Sequence, residues 1–485
     1  MSISSAFSSA LSGLTASSRM AEVTASNVAN ALTEGYGRRE VQLASRIIGS
    51  TGIGVTINGV SRSVDGILLQ DLRLSTSGQG YHQARSGFLN AIEKAIGTPD
   101  QTGSISDRIS ALERSLVEAA ARPESEARLA AVADAATGVT RVFSDVSSTI
   151  QQERQRADNR IAFEVGQVNE ALVGLADINL KIRVFNATGR ETAALMDQRQ
   201  QLVDRIAAVV PVKEIPRANG EIALYTTGGT MLLESKPSRI EFTPTSVITA
   251  DMTLSGSGLS GLIVNGIALS TGPSGGRLGT GSLAAQFDIR DRLAPDAQNQ
   301  LDAIARDLVE RFASPGLDPT LAPGAPGLFT DLGATFVAAD EVGLAGRLRL
   351  NAAVDPANGG ALWRLREGLG AAVPTSPGAP GQLPLWSAAL SDRRAPVSGN
   401  FGAGPRSFAA LAADLISGIS VTRLNADSEA AFSAARSGAL RSEMLRDGVD
   451  TDAEMQSLLQ IENAYSANAK VLKTVDDMLQ QLLGI

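Results

Sequence analysis

The sequence predicts a mainly α-helical fold with β outer domains, in which helices from the two ends form a coiled-coil core domain. Three observations carry that expectation. Seven-residue apolar repeats occupy both ends of the 485-residue chain, residues 66–210 keep a helical period, and Pro/Gly-rich stretches interrupt this scaffold twice. At about 150 residues per domain, the length allows about three domains.

Residues 1–32 read as a helix with a narrow stripe. Phe7, Leu14, Ala21 and Val28 recur every seven residues, with Ile3, Ala10, Ser17, Thr24 and Ala31 as the alternate seam. The alternate residues are small, which lets a partner helix approach closely. A glycine-rich turn at 33–37 stops the helix. Residues 51–65 then read as a β-hairpin, with Asn58-Gly59 as its two-residue turn. In the helical stretch that follows, Pro123 with Glu124 and Glu126 reads as a helix start. Ile161, Val165, Val168, Leu172, Leu175, Asn179 and Ile182 form a coiled-coil-like seam.

Pro211 and Pro216 end the helical half. Residues 212–285 read as strands, with hairpin signals at Asn219-Gly220 and Asn265-Gly266, and a helix returns at about 288–312. Residues 313–405 are Pro/Gly-rich and irregular, and helix resumes at 406–446. In the last helix, 451–483, Leu458, Tyr465, Leu472 and Leu479 take one heptad position. Ile461, Asn468, Val475 and Leu482 take the other, and Asn468 there would fix register. Thr451-x-x-Glu454 reads as a capping box. Nothing adjacent in sequence covers either terminal seam. Both ends are therefore expected to lack stable structure in the free monomer and to pair with each other on assembly.

Composition excludes most chemistry. The net charge of −8 gives no basic field for nucleic acid or an anionic membrane. With no cysteine there are no disulfides, thiolate nucleophiles or Cys-bound zinc, and His82 is the single histidine. No lysine follows a glycine, so there is no phosphate loop. Gly272-Pro273-Ser274-Gly275-Gly276 has the letters of a hydrolase elbow, but His82 precedes it rather than following. Asp447, Asp450, Asp452 and Glu454 lack the spacing of a calcium loop and read as helix caps. No cofactor, no metal site and no catalytic set are expected. No run of some 18 apolar residues spans a membrane, and serines break the apolar runs that a secretory signal would need.

The end motifs carry a resemblance. Asn27-x-x-Asn30-x-x-Thr33-x-Gly35-Tyr36-x-Arg38 resembles the N-terminal signature of the flagellar rod, hook and hook-associated axial proteins, with Leu32 and Glu34 departing from it. Gly52-x-Gly54-Val55, Val60-x-Arg62 and Asp65 are similar to the same group. Glu454-Met455, Leu458 and Ala464-Tyr465-x-Ala467-Asn468-Ala469-Lys470 resemble its C-terminal motif. The long helical middle is similar to the hook-associated protein 1 family, except over 313–405.

The resemblance implies a non-enzymatic structural subunit at the hook–filament junction, exported unfolded through the flagellar type III apparatus. It implies contact with the hook protein, with hook-associated protein 3 and with copies of itself in a ring-like tier. A cytosolic export chaperone would cover the C-terminal helix before export. Four units are expected: 1–65 with 447–485 as an inner coiled-coil domain with its hairpin, 66–210 with 286–312 and 406–446 as a helical bundle, 211–285 as a β-rich outer domain, and 313–405 as a small irregular outer module whose deletion should be tolerated. The alternatives are another axial protein (hook, rod or hook-associated protein 3) and an axial subunit with an adhesive outer surface.

Overall fold

The computed structural model describes residues 3–33, 35–48, 51–256, 258–402 and 404–483. Helix α1 (Ile3–Asn30) is followed by antiparallel strands β1 (Arg38–Ile48) and β2 (Thr51–Ser63), paired from Arg38↔Ser63 to Ile48↔Thr51. The hairpin is thus longer than its expected 51–65 span, and Asn58-Gly59 is not its turn. Gln42 pairs with Gly59 and Leu43 with Ile57, so Asn58 sits unpaired in a bulge inside β2. Asn-Gly supplies a positive φ, here +136° at Gly59, to a bulge as readily as to a turn. The missing information was the partner strand.

Four helices follow: α2 (Gly66–Ile96), α3 (Ile105–Ala121), α4 (Glu126–Ala187) and α5 (Ala193–Val209). Asp65 starts α2, its carboxylate accepting from the backbone N–H groups of Ile67 and Leu68 at 2.8 and 3.0 Å. Helix α4 begins beyond Pro123, with Ser125 at the N-cap position. Its 62 residues extend over about 90 Å at about 1.5 Å each.

The N-terminal half of α4 packs into one apolar core with α3, while the Ile161–Leu175 part of its seam builds a second. A second long helix does not cover that seam. It is covered by α5 and a small β layer, made of β3 (Val212–Pro216), β4 (Ile222–Thr226) and β5 (Met231–Leu233) in one sheet and β6 (Ile240–Glu241), β7 (Leu262–Val264) and β8 (Ile267–Leu269) in another. Asn179, in the middle of the seam, donates to the Ile222 carbonyl at 2.8 Å. The turn at Asn265-Gly266 forms as expected, with φ of 51° and 79° between paired Val264 and Ile267. Asn219-Gly220 lies in the loop joining β3 to β4.

Helix α6 (Ser282–Asp288), a π-helical turn (Ile289–Leu293) and α7 (Ala294–Phe312) lead back into the bundle. The turn delivers Arg290, which pairs with Asp158 of α4 at 2.7 Å, both side chains fully buried. Asp158 also accepts from the Thr245 N–H at 2.7 Å, and Arg290 donates to the Ser260 carbonyl at 2.9 Å. The guanidinium lies over the rings of Phe242 and Phe287, 5.5 and 5.0 Å from their centroids. One ion pair therefore bolts the β layer to both helices.

Residues 313–405 hold short elements: β9 (Phe329–Asp331), α8 (Leu344–Arg347), β10 (Leu348–Leu350), α9 (Arg364–Glu367) and α10 (Leu383–Ser391). They do not stand apart. Phe329, Leu348, Leu383 and Trp386 join the same core as α3, α7 and α11 (Phe408–Arg446), and Phe312 meets the rings of Phe329 and Trp386 at 5.1 and 6.2 Å. Proline and glycine do mark irregular backbone here, yet they say nothing of the apolar residues spaced between them. Excising 315–400 is accordingly expected to abolish a soluble folded monomer rather than be tolerated. Loss of cooperative unfolding by circular dichroism would check this.

The last helix, α12 (Thr451–Leu483), lies antiparallel along α1, with Gly13 opposite Asn468 and Asn27 bonded to Glu454. The ends thus pair within one chain, without waiting for assembly. Their neighbours α2 and α11 are packed on each other and deliver the two ends side by side, which makes the pairing effectively intramolecular.

Candidate assembly site

The α1 stripe is rotated from its sequence expectation. Phe7 is exposed, and Leu14, Ala21 and Val28 are half-buried, while the small alternate seam of Ala10, Ser17 and Thr24 is buried together with Ala16, Val23 and Asn27. Small side chains allow the closest approach, so they take the centre of the contact. On α12 the covered row is Glu454, Ile461 and Val475, with Asn468 half-buried between them. Leu458 and Leu472 are half-buried at its edge, whereas Tyr465 and Leu479 are exposed at 48% and 38%. The side chain of Leu482 lies outside the described residues, as does Glu34.

Asn468 fits because α1 has no side chain opposite it. A Cβ on Gly13 would lie 2.7 Å from Asn468 Nδ2, which itself donates to the Ala464 carbonyl at 3.0 Å. Gly13→Val is expected to pry α12 from α1, read as faster amide exchange along α12 with the bundle unchanged.

At the base of this pair the two terminal motifs meet on Asn27. Its Oδ1 accepts from the Arg39 N–H at 3.0 Å and from the Tyr36 hydroxyl at 2.9 Å. Its Nδ2 donates to the Arg39 carbonyl at 2.9 Å and to Glu454 Oε2 at 3.1 Å. The amide thereby uses its full hydrogen-bonding capacity, which only Asn or Gln could do. Arg38 Nε donates to the other oxygen of Glu454 at 2.6 Å, and this bond holds the guanidinium above its ordinary pKa. Asn30 and Thr33 act locally. Asn30 donates to the Ser26 carbonyl at 2.9 Å and accepts from the Thr33 hydroxyl at 3.3 Å, and the Thr33 carbonyl accepts from the Tyr36 N–H at 3.1 Å. Gly35 takes φ +81°, where a Cβ would lie 2.9 Å from Gln201 Cγ.

Glu454 is the residue that sequence reasoning misassigned. Asp450 caps α12, accepting from the Asp452 and Ala453 N–H groups at 2.9 and 3.1 Å, which leaves Glu454 free to turn inward to 2% exposure. Its place in the heptad row of Ile461, Asn468 and Val475 was the available signal. A second carboxylate, Asp197 on α5, was missed entirely. It accepts from Gly37 N–H and Arg62 Nε at 3.0 and 2.7 Å, and from Arg39 Nη2 at 2.9 Å. Among the described residues no cluster of acidic and histidine side chains is placed to hold a metal, and no helix is long and apolar enough to cross a membrane.

Comparison with known proteins matches the chain in three places. A family model described as the flagellar hook-associated protein FlgK helical domain covers residues 89–315. A flagella basal body rod protein model covers 7–36, and a model of the C-terminal part of the flagellar basal body rod FlgEFG proteins covers 444–485. Flagellar hook-associated protein 1 of Bacillus subtilis (strain 168) is 27% identical over 233 residues, which is 46% of each chain. That of Escherichia coli (strain K12) is 23% identical over 318 residues, 64% of this chain and 56% of its own. The chain spans about half the length of the curated relatives it matches. The structure of the flagellar hook junction protein FlgK from Burkholderia pseudomallei aligns over 54% of this chain and 46% of its own, with TM-score 0.44 and 18% identity. The rod-type models fall on the two ends that meet at Asn27 and Glu454, and the helical-domain model falls on the body between them. Over its helical body the chain is therefore similar to flagellar hook-associated protein 1, and at its two ends to flagellar rod-type proteins.

Proposed function

We propose that this chain is an axial subunit joining the flagellar hook to the filament, outside the cell, after unfolded export through the flagellar type III apparatus. The observation that carries the reading is the uncovered side of α12. Once α1 has taken the Ile461–Val475 row, Tyr465, Val471, Met478 and Leu479 remain exposed on a helix already docked at its base. A row of large apolar side chains left in water calls for protein partners. On this reading the partners are copies of the chain in a ring-like tier, with the hook protein on one side and hook-associated protein 3 on the other. Before export a cytosolic chaperone would cover the same face.

Among axial proteins, the long helices α2, α4 and α11 favour the junction over a rod or hook component, which passes quickly from its hairpin into β-rich domains. The test is genetic. Cells lacking the chain should build complete hooks and shed flagellin into the medium, and restoring it should restore filaments. Absence of hooks would mean a rod or hook component instead.

A further inference from the structure

The terminal pair is joined to the body by a seam of polar contacts. None of the described residues of 1–65 or 447–485 enters any of the three buried apolar clusters of the body. Beyond the two chain connections, that module rests on the start of α5 through polar groups. Arg19 pairs with Glu191, Arg62 bonds to Gln200, and Gly35 closes over Gln201. At the centre is Asp197, whose side chain is only 12% exposed and which receives Gly37, Arg39 and Arg62. All three donors come from the β1–β2 hairpin or its approach. Arg39 also lies over the Tyr36 ring at 4.8 Å, and its backbone holds Asn27. One carboxylate on the body therefore grips the same residues that organise the junction of the two termini.

We propose that Asp197 is a positioning residue: an electrostatic clasp that sets the angle at which the α1–α12 pair is presented relative to the helical body. A joint that shares no buried apolar cluster with the body has little area-dependent adhesion to fall back on, so its preferred orientation depends largely on directional bonds. Neutralising the carboxylate removes the one charge on the body side that attracts the two hairpin guanidiniums, and their solvation then favours opening of the seam. The remaining bonds of the junction, Asn27 to Glu454 and Arg38 to Glu454, lie wholly within the terminal module. The module should accordingly swing as a unit rather than unravel. This inference concerns the shape of the chain and stands whether or not it sits between hook and filament.

The absence of native cysteine makes the test direct, because two introduced cysteines are the sole labelling sites. Leu459→Cys on α12 and Val173→Cys on α4, both at exposed positions, would carry spin labels in the full-length chain. The parent pair should give one narrow distance distribution. Asp197→Asn, which keeps the side-chain shape, should broaden and shift that distribution without moving the thermal unfolding of the body. Glu191→Gln removes a half-exposed surface partner of Arg19 and should leave the distribution as in the parent. At about 1 M salt, where screening acts within ~3 Å, the parent should move toward the Asp197→Asn pattern but less far, since the clasp is largely buried. An unchanged distribution in Asp197→Asn overturns the proposal. So does a lowered body melting temperature without broadening, which would make Asp197 an ordinary part of the fold.

Discussion

Replacing Arg290 with methionine is expected to destabilise the body by about 3–5 kcal/mol, the usual consequence of leaving one member of a buried ion pair without its partner. Asp158 would keep the Thr245 N–H but lose the cation 2.7 Å away, at a site with no access to water. Methionine roughly conserves volume against Phe242 and Phe287, so the loss would be electrostatic rather than a cavity. Urea unfolding should show a lower midpoint at unchanged slope. Arg239→Met makes the contrast. That guanidinium is 81% exposed in its pair with Glu241, itself 45% exposed, and its loss should cost about 0–1 kcal/mol. The double variant Asp158→Leu with Arg290→Met should recover part of the loss, because the fully buried carboxylate then leaves with its cation, while Asp291, the second partner of Arg290, is 18% exposed and reaches water.

Glu454→Ala is expected to act elsewhere. It removes the acceptor of both Asn27 and Arg38 from a site 2% exposed, and hydrogen bonds to a charged group are worth about 1.5–3 kcal/mol. The body shares no apolar cluster with α12, so its unfolding midpoint should stay where it is. Amide exchange along α12 should accelerate instead, and filament assembly should fail in cells. Leu472→Asp should give the same cellular outcome through the packed edge of the helix, placing a carboxylate where a half-buried leucine meets α1. A large fall in body stability for either variant would show that α12 belongs to the main core.

These variants separate what could be read from the sequence from what could not. Helix periodicity was legible wherever one face is buried against anything, and every residue of the Ile161–Ile182 seam is buried. Periodicity does not name the neighbour, so the β layer over that seam was invisible. On α1 the row of small residues expected to admit a close partner is the buried one, while nothing in the repeat told which of the two rows would take the centre of the contact. Residues 313–405 escaped because a core can be filled from irregular backbone, as Phe329 and Trp386 do, with no repeat to betray it. The end motifs located Asn27, Tyr36 and Arg38 through their resemblance to axial proteins. Asp197 carried no signal at all: it is one aspartate on one helix, and its partners lie more than a hundred residues away in the chain.

Helix α4 has a mechanical consequence. Its 62 residues run through the core of the bundle and the core beneath the β layer without a break. Two compartments threaded on one uninterrupted rod cannot melt separately, since fraying either would strip a face from the shared strut. Torque applied at the β layer is therefore carried along a stiff axis into the bundle, with no flexible link between them to absorb it. Compliance is left to the polar seam beside α5, so under rotation this chain should behave as a rigid lever on a single soft bearing.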